Sequence, residues 1–221
     1  MRRCDVSGCN GRAGTYSRFC NAHKARNRRH GHPGQYGMTK ADLKPYLGTV
    51  RDRIAKNASN AAWSHFEARW AALVDDCKAR LAEHEQGRPY VRHARQAALE
   101  IVKIAQDEVQ ARTVLETVIA LYLMADQDER RFRSDRAFLH QVVRRVRALT
   151  ERNVGQYYDH QAGRRKRVYR EFPPQAALVM GQWINEALGV AGLKVAKLER
   201  QEAEAKLEER RALSEALADL R

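Results

Sequence analysis

Four potential metal ligands near the start of the chain constrain its fold more than any other feature. Cys4, Cys9, Cys20 and His23 follow the spacing C-x4-C-x10-C-x2-H. A short loop between the first two cysteines, and one helical turn between Cys20 and His23, can place three thiolates and an imidazole around one tetrahedral Zn²⁺. The sequence therefore predicts a zinc site with these four ligands.

The segment that carries these ligands has little material for a hydrophobic core. Between residues 1 and 38 the large apolar side chains are few, namely Val6, Tyr16, Phe19 and Tyr36. Such a segment cannot bury enough apolar surface to offset the entropy that it loses on folding. A bound metal supplies the missing cross-link, because its binding free energy becomes folding free energy.

The alternative to a metal site is a set of ordinary cysteines or a disulfide. The remaining cysteine, Cys77, lies in an apolar helical pattern, and no apolar signal segment precedes Cys4. Both observations disfavour an exported, disulfide-bonded protein and predict a cytoplasmic one. His30 and His32 are alternative ligands, although the short spacing from Cys20 favours His23.

A basic run follows the last ligand and ends in a turn signal. The run contains Lys24, Arg26, Arg28, Arg29 and His30, and Gly31-His32-Pro33-Gly34 follows it.

At this point the sequence resembles a small zinc-binding element of phage and mobile-element proteins, which often lies beside HNH-type endonuclease or other DNA-binding modules. The matching residues are Cys4, Cys9, Cys20, His23, Arg28, Arg29, His30, Gly31 and Pro33. The resemblance covers about 35 residues. It implies association with nucleic acid, and it transfers no catalytic function.

The charge distribution points to a polyanionic partner. The formal net charge is +14, and residues 1–50 hold ten Lys or Arg against two Asp or Glu. Residues 151–200 hold nine against five, whereas residues 201–221 hold four against six. Phosphates attract such a chain because each contact releases condensed counterions. No apolar run reaches the roughly 18 residues of a membrane-spanning helix, so we expect no membrane partner.

Apolar periodicity predicts a mainly α fold after residue 38. Thr39 and Asp42 indicate a helix start, and Pro45 and Gly48 predict that this helix is short or irregular. A second helix is expected from Ser59 or Asn60 to the region of residues 87–89. Its apolar stripe contains Trp63, Phe66, Trp70, Leu73, Cys77 and Leu81.

Helical periodicity continues from Tyr90 to Met124, with a break expected near Gln106 or Asp107. Ser134 then marks the start of a helix with an arginine-rich outer side. These arginines are Arg136, Arg144, Arg145 and Arg147. They are either solvated or lie against phosphates.

Residues 156–172 predict a β-hairpin with a strongly basic tip, because aromatic and β-branched residues flank a glycine-containing turn. Its candidate phosphate-binding residues are Arg164, Arg165, Lys166, Arg167, Tyr169 and Arg170. A helix with outward arginines followed by such a hairpin resembles a winged helix, in which both parts contact DNA. A mobile charged loop is the alternative.

Gly189 and Gly192 predict a joint before a charged C-terminal helix. This helix would be about 40 Å long and would pack on a neighbour or a second protomer. The chain is therefore expected to comprise a zinc-binding element (1–38), a helical body (39–193) with the hairpin, and the C-terminal helix (194–221).

These features together predict a non-enzymatic, Zn²⁺-containing protein that binds nucleic acid, with duplex DNA as the expected partner. The alternative is an adaptor subunit that binds other proteins of a nucleoprotein complex. A metal-dependent nuclease is a third possibility, but the later histidines lie singly on helical patterns and form no nuclease motif. The charge, the zinc site and the absence of a leader predict a cytoplasmic protein associated with a bacterial nucleoid or an infected bacterial cell.

Overall fold

The structure, a computed structural model, describes residues 2–219, and the side chains of Arg167 and of residues 217–219 are outside this description. In this part of the chain there are seven helices and a two-stranded antiparallel sheet. In order they are α1 (Asn21–His30), α2 (Lys40–Lys56), α3 (Ala62–Glu85), α4 (Arg92–Gln106), α5 (Ala111–Gln127), α6 (Asp135–Arg147), β1 (Val154–Asp159), β2 (Arg164–Tyr169) and α7 (Pro174–Asp219). The predicted mainly α fold is confirmed.

Helix α2 starts where the sequence predicts, but it is longer than expected. The Thr39 side chain accepts a hydrogen bond from the Asp42 amide, and the Asp42 carboxylate accepts one from the Thr39 amide, which completes a capping box. The helix continues for 17 residues through Pro45 and Gly48. The prediction of a short helix is wrong, because burial of Leu43, Val50 and Ile54 against the body outweighs the helix-breaking tendencies of the proline and the glycine.

The next three helices follow the predicted pattern. Asn60 accepts a hydrogen bond from the Ala62 amide at the start of α3, and Trp63, Trp70 and Cys77 are buried along its predicted stripe. The break expected near Asp107 separates α4 from α5. Glu108 adopts a left-handed conformation there, with φ of 57°.

Helix α5 lies at the centre of the body, packed against α2, α3, α6 and α7. It contributes the largest set of core residues, and these include Val114, Leu115, Val118, Ile119, Leu121, Leu123 and Met124. The first half of α7 completes the core with Met180, Ile184 and Leu188, which are fully buried.

Helix α7 is continuous over 46 residues, about 69 Å at the usual rise, so the predicted joint at Gly189 and Gly192 is wrong. Both glycines are buried inside the helix against Tyr122 of α5. A Cβ atom at Gly192 would overlap the Tyr122 ring. The glycines therefore permit close approach of two helices. Beyond Glu202 the side chains of α7 up to residue 216 are exposed, and Leu220 and Arg221 lie outside the described residues.

The N-terminal segment packs on the body through the end of α1. Gly31 caps α1 in a left-handed conformation, with φ of 80°, and lies so close to α6 that a Cβ would be 2.8 Å from the Arg136 carbonyl oxygen. Only glycine combines this conformation with this contact. Over residues 2–219, every helix is too short or too polar to cross a bilayer.

Candidate metal centre and nucleic-acid interface

Two turns of the N-terminal segment position the first two cysteines. Cys4 lies in an antiparallel bridge region, where its amide donates a hydrogen bond to the Gly11 carbonyl at 3.0 Å. Cys9 ends a tight turn in which its amide donates to the Val6 carbonyl at 3.0 Å, with Gly8 at φ of 73°. The local backbone therefore brings both thiols to one side of the segment.

Helix α1 positions the other two ligands. Cys20 is its N-cap residue, with an extended backbone, and His23 lies in its first turn. The Lys24 amide donates to the Cys20 carbonyl at 2.8 Å. Since Cys20 and His23 are three residues apart at a helix start, their side chains point to the same side.

The structure brings the four predicted ligands together. Their donor atoms, three Sγ and one Nδ1, all lie within 4.8 Å of one another. The Cys9 and Cys20 sulfurs are 3.9 Å apart, and the His23 Nδ1 lies 3.4 Å from the Cys4 sulfur and 3.3 Å from the Cys20 sulfur. This cluster can hold a metal ion.

The two alternative histidine ligands lie outside this cluster. The His30 Nδ1 accepts a hydrogen bond from Gln141 of α6 at 3.1 Å. The His32 Nδ1 accepts one from the Gly34 amide at 3.0 Å. Each imidazole therefore has a structural role away from the ligand cluster.

Gly11 leaves room for the sulfurs to converge. A Cβ atom at this position would lie 2.9 Å from the Cys20 Cβ and 3.2 Å from the sulfurs of both Cys9 and Cys20. The Gly11 amide also donates to the Cys9 sulfur at 3.3 Å. The absence of a side chain here lets the backbone approach two ligands at once.

The thiols perturb each other's protonation. Burial of Cys4 raises its pKa, but hydrogen bonds from the Cys20 and Val6 amides and from His23 outweigh this effect and lower the pKa to about 6. For Cys9 the Gly11 amide lowers the pKa, whereas burial and the neighbouring sulfurs raise it, and the net shift is upward. Several sulfurs thus share a space in which only a cation can stabilise all of them as thiolates.

Cys77 differs from the three clustered cysteines. It is fully buried on α3, and burial raises the pKa of its thiol to about 12. It is a packing residue, as its apolar pattern predicts.

The basic run predicted after the last ligand forms α1, and its side chains have different surroundings. Lys24 is exposed, and the Arg26 guanidinium stacks on the Tyr36 ring at 4.4 Å. Arg28 and Arg29 both contact the carboxylate of Glu171, at 3.7 and 2.5 Å. Glu171 directly follows the hairpin region, so α1 and the base of the hairpin are neighbours.

His30 lies between α1 and α6 rather than free in solvent. Burial, with the nearby charges of Arg144 and Arg29, lowers its pKa to about 4. His140 of α6 is 2% exposed, and burial with the charge of Arg136 also lowers its pKa to about 4. Two neutral imidazoles therefore fill the contact between these helices at neutral pH.

The arginines of α6 are less exposed than predicted. Arg136 is exposed, but Arg144 and Arg145 are half-buried beside Tyr169 of β2. Among the described residues, neither Arg144 Nε nor Arg145 Nε has a hydrogen-bond partner, and the Tyr169 hydroxyl also lacks one. The hairpin base covers this side of α6, so the predicted outward orientation is wrong for these two arginines.

Arg147, also expected to point outward, is 3% exposed and joins both ends of the hairpin to the body. It donates to Glu100 of α4 at 2.6 Å, to the Asn153 side chain at 2.6 Å and to the Arg170 carbonyl at 3.2 Å. Its guanidinium also stacks on Phe172 at 4.6 Å. Its burial could not be predicted from the sequence, because these hydrogen-bond partners lie 47, 6 and 23 positions away.

The predicted hairpin is present, but its basic residues lie along β2 and not at its tip, which is formed by residues 160–163. The strand register assigns residues to two faces. Tyr157 pairs with Lys166, and Tyr158 pairs with Arg165. On the first face Lys166 forms an ion pair with Asp159. On the second face Tyr158 and Arg165 lie opposite each other, and in the described part of the chain Arg165 forms no ion pair.

The hairpin exposes most of its side chains. Tyr157 is 49% exposed and Tyr158 51%, and Arg164, Arg165 and Arg170 are also exposed. Tyr169, which was predicted to contact nucleic acid, is half-buried beside the arginines of α6. Arg167 pairs with Gln156 in the ladder, and its side chain is outside the described residues.

Comparisons with protein-family models, with curated proteins and with solved structures found no match to this chain. The resemblance of the first 35 residues to an element of phage and mobile-element proteins stays a prediction. The ligand cluster itself rests on the geometry of Cys4, Cys9, Cys20 and His23.

Proposed function

We propose that this chain is a zinc protein that binds nucleic acid, with duplex DNA as its partner. It would contact phosphates through α1 and through the basic hairpin. The single observation that carries the proposal is the hairpin, where two exposed tyrosines and exposed arginines project from a body that leaves them free of core contacts. Aromatic rings and guanidinium groups at one surface suit bases and phosphates.

The ligand set favours Zn²⁺ as the metal. Ideal tetrahedral bonds of about 2.3 Å to sulfur and 2.0 to 2.1 Å to nitrogen place two sulfurs about 3.8 Å apart, and a sulfur and a nitrogen about 3.6 Å apart. The observed separations of 3.9, 3.4 and 3.3 Å lie close to these values. Four protein ligands leave no open coordination position, as is typical of a structural zinc site.

The placement of α1 supports a single binding surface. Arg28 and Arg29 meet Glu171, and Arg144 lies between α1 and Tyr169 of the hairpin. Helix α1 thus adjoins the base of the hairpin, although the two segments are far apart in sequence. A duplex that lies across both would contact α1 and the hairpin together.

The test is the salt dependence of duplex binding. We expect the combined substitution of Arg164, Arg165, Lys166 and Arg170 by Gln to flatten the slope of log affinity against log salt by about 0.9 for each phosphate that the hairpin no longer neutralises. The measurement is fluorescence anisotropy of a labelled random duplex at several NaCl concentrations. Arg164, Arg165 and Arg170 are exposed and Lys166 is 40% exposed in its ion pair with Asp159, so thermal stability should hardly change.

The matched control removes four basic residues elsewhere, Lys56, Lys78, Arg80 and Arg88, which are exposed on or beside α2 and α3. It lowers the net charge by the same amount. Equal reductions of affinity in both variants would mean that overall charge alone attracts DNA, and would contradict a role of the hairpin in binding.

A second candidate function, an adaptor subunit, is favoured by the end of α7. After the ion pairs of Arg53 with Glu199 and Glu202, the side chains of residues 203–216 are exposed, including Leu207 and Leu213. This end would bind a partner helix or a second copy of the chain. Light scattering of the chain truncated after residue 202 tests self-association, and DNA binding that survives truncation would separate the two functions. A metal-dependent nuclease and a cytoplasmic location stay predictions, and incubation of supercoiled DNA with Mg²⁺ tests the former.

A further inference from the structure

A cationic niche lies where α1, α6 and the end of the hairpin region meet. Arg28 and Arg29 enter it from α1, and His140 and Arg144 from α6. Glu171 reaches into the same niche, and its two carboxylate oxygens contact the Arg29 and Arg28 side chains. The niche therefore already holds an oxyanion, which is supplied by the chain itself.

Glu171 does not neutralise the niche. Arg147 is paired with Glu100, but Arg144 forms no ion pair within residues 2–219, and its Nε has no hydrogen-bond partner. Burial, with the charges of Arg145 and Arg147, lowers the pKa of Arg144. His140, almost fully buried beside it, is a neutral imidazole at neutral pH and adds no positive charge. An anion richer in oxygens than a carboxylate would offer an acceptor to the Arg144 guanidinium as well.

The ion pairs of Glu171 can exchange with solvent. The side chains of Arg28 and Arg29 are 68% and 56% exposed, and that of Glu171 is 40% exposed. Exposed pairs of this kind contribute little to stability. The remaining cavity of about 20 Å³ has room for a water molecule and not for a phosphate, so a phosphate must displace the carboxylate.

We propose that this niche is a phosphodiester-binding site, and that Glu171 occupies it as an internal competitor until a nucleic-acid phosphate displaces its carboxylate from Arg28 and Arg29. The inference rests on the proposed function and adds to it the position of one phosphate and a residue that limits affinity. By this account the chain releases DNA more readily than its charge alone would allow.

The opposing account is that Glu171 is a clasp that fixes α1 to the hairpin base for binding. The Glu171→Gln variant distinguishes the two. If the carboxylate competes, the variant binds a random duplex about two- to fivefold more tightly than the wild type, as expected from an exposed ion pair. Its slope of log affinity against log salt should also become steeper by about one unit. If Glu171 is a clasp, the variant binds more weakly.

The matched control is Glu151→Gln. Glu151 is exposed before the first strand of the hairpin, and its substitution changes the net charge equally without contact to Arg28 or Arg29. Equal affinities of the two variants, or weaker binding of Glu171→Gln, would overturn the inference. A wild-type chain that binds no duplex at low salt would instead overturn the proposed function itself.

A double-substitution cycle keeps the test independent of small folding changes. The decrease in affinity caused by Arg29→Gln should be larger in the Glu171→Gln background than in the wild type, because only there is Arg29 free for phosphate in the unbound protein. An equal or smaller decrease would show that Arg29 and Glu171 do not compete for the same phosphate. Far-ultraviolet circular dichroism of each variant confirms that the helices are intact.

Discussion

Among single residues, Gly11 supports the metal-ligand cluster although it has no side chain that could bind a metal. We expect Gly11→Ala to weaken Zn²⁺ affinity by about 10- to 100-fold, the range typical of groups that support metal ligands. The new methyl group would press on the Cys9 and Cys20 sulfurs. A competition titration with a chromophoric chelator measures the change. Gly14→Ala is the control, since a Cβ there meets only the Ser17 Cβ, at 3.9 Å, and equal effects would contradict the crowding argument.

The histidine pair between α1 and α6 makes stability depend on pH. Burial among the positive charges of Arg136 and Arg144 lowers the pKa of His30 and His140 to about 4, against about 6.5 in the unfolded chain. Between these values the unfolded chain binds more protons than the folded chain. The free energy of unfolding should therefore be greatest above pH 6.5 and fall as the pH drops toward 4.

Urea unfolding at pH 7.5 and pH 5 tests this dependence. The difference between the two pH values should shrink in His140→Gln, because that variant retains only one of the two groups. His65→Gln, on the exposed side of α3, should keep the wild-type difference. Because the binding of a metal ion to the thiolates would also depend on pH, the result is read from the difference between variants and not from the wild-type profile alone. An unchanged difference in His140→Gln would contradict the assignment.

Among the helices, the packing of α5 against α7 depends on small residues. We expect Gly192→Ala to destabilise the protein by about 1 to 3 kcal/mol, because the new Cβ would overlap Tyr122 and push the helices apart. Gly48→Ala is the matched control. Gly48 also lies within a helix, but no atom lies within 4 Å of its hypothetical Cβ, so this variant should gain about 0.5 to 1 kcal/mol. Thermal or urea unfolding measures both, and destabilisation by Gly48→Ala would contradict the comparison.

Gly189 and Gly192 show which parts of the fold can be predicted from sequence. Apolar periodicity and caps predicted α3, the break before α5 and the start of α6, because these signals are local. A glycine inside a helix gives the same local signal as a glycine in a joint, and only the position of Tyr122 distinguishes them. The continuity of α7 depends on this long-range contact, which the local sequence does not encode.

The candidate site likewise has residues whose positions could be predicted from the sequence and residues whose positions could not. The metal ligands Cys4 to His23 are close in sequence, so their spacing was enough to predict the cluster. Arg147 was assigned to the wrong side of α6, because its burial depends on Glu100 and Asn153. The contact of Arg29 with Glu171 spans 142 positions and has no local signal at all.

For the whole molecule, metal removal should separate the two parts of the structure. A chelator strong enough to remove the bound metal should unfold about the first 35 residues, because none of residues 2–35 belongs to the core cluster, while the body keeps its helices around α5. Hydrogen exchange followed by mass spectrometry should show decreased protection in α1 and retained protection in α5 and α7. Cys20→Ser should reproduce this pattern without a chelator. Decreased protection in α5 as well would mean that the body depends on the metal.

The hydrogen bonds that Arg147 makes at the base of the hairpin also affect how the hairpin can change in evolution. Because Arg147 holds both Asn153 and the Arg170 carbonyl, the residues between them form an arm whose length is independent of the body. One added residue in each strand would extend its reach by about 3.3 Å and exchange its two faces, while two in each strand would extend it by about 7 Å and keep them. Paired insertions and deletions within both strands thus offer evolution a way to adjust the reach of the hairpin in two-residue steps, with the core left unchanged.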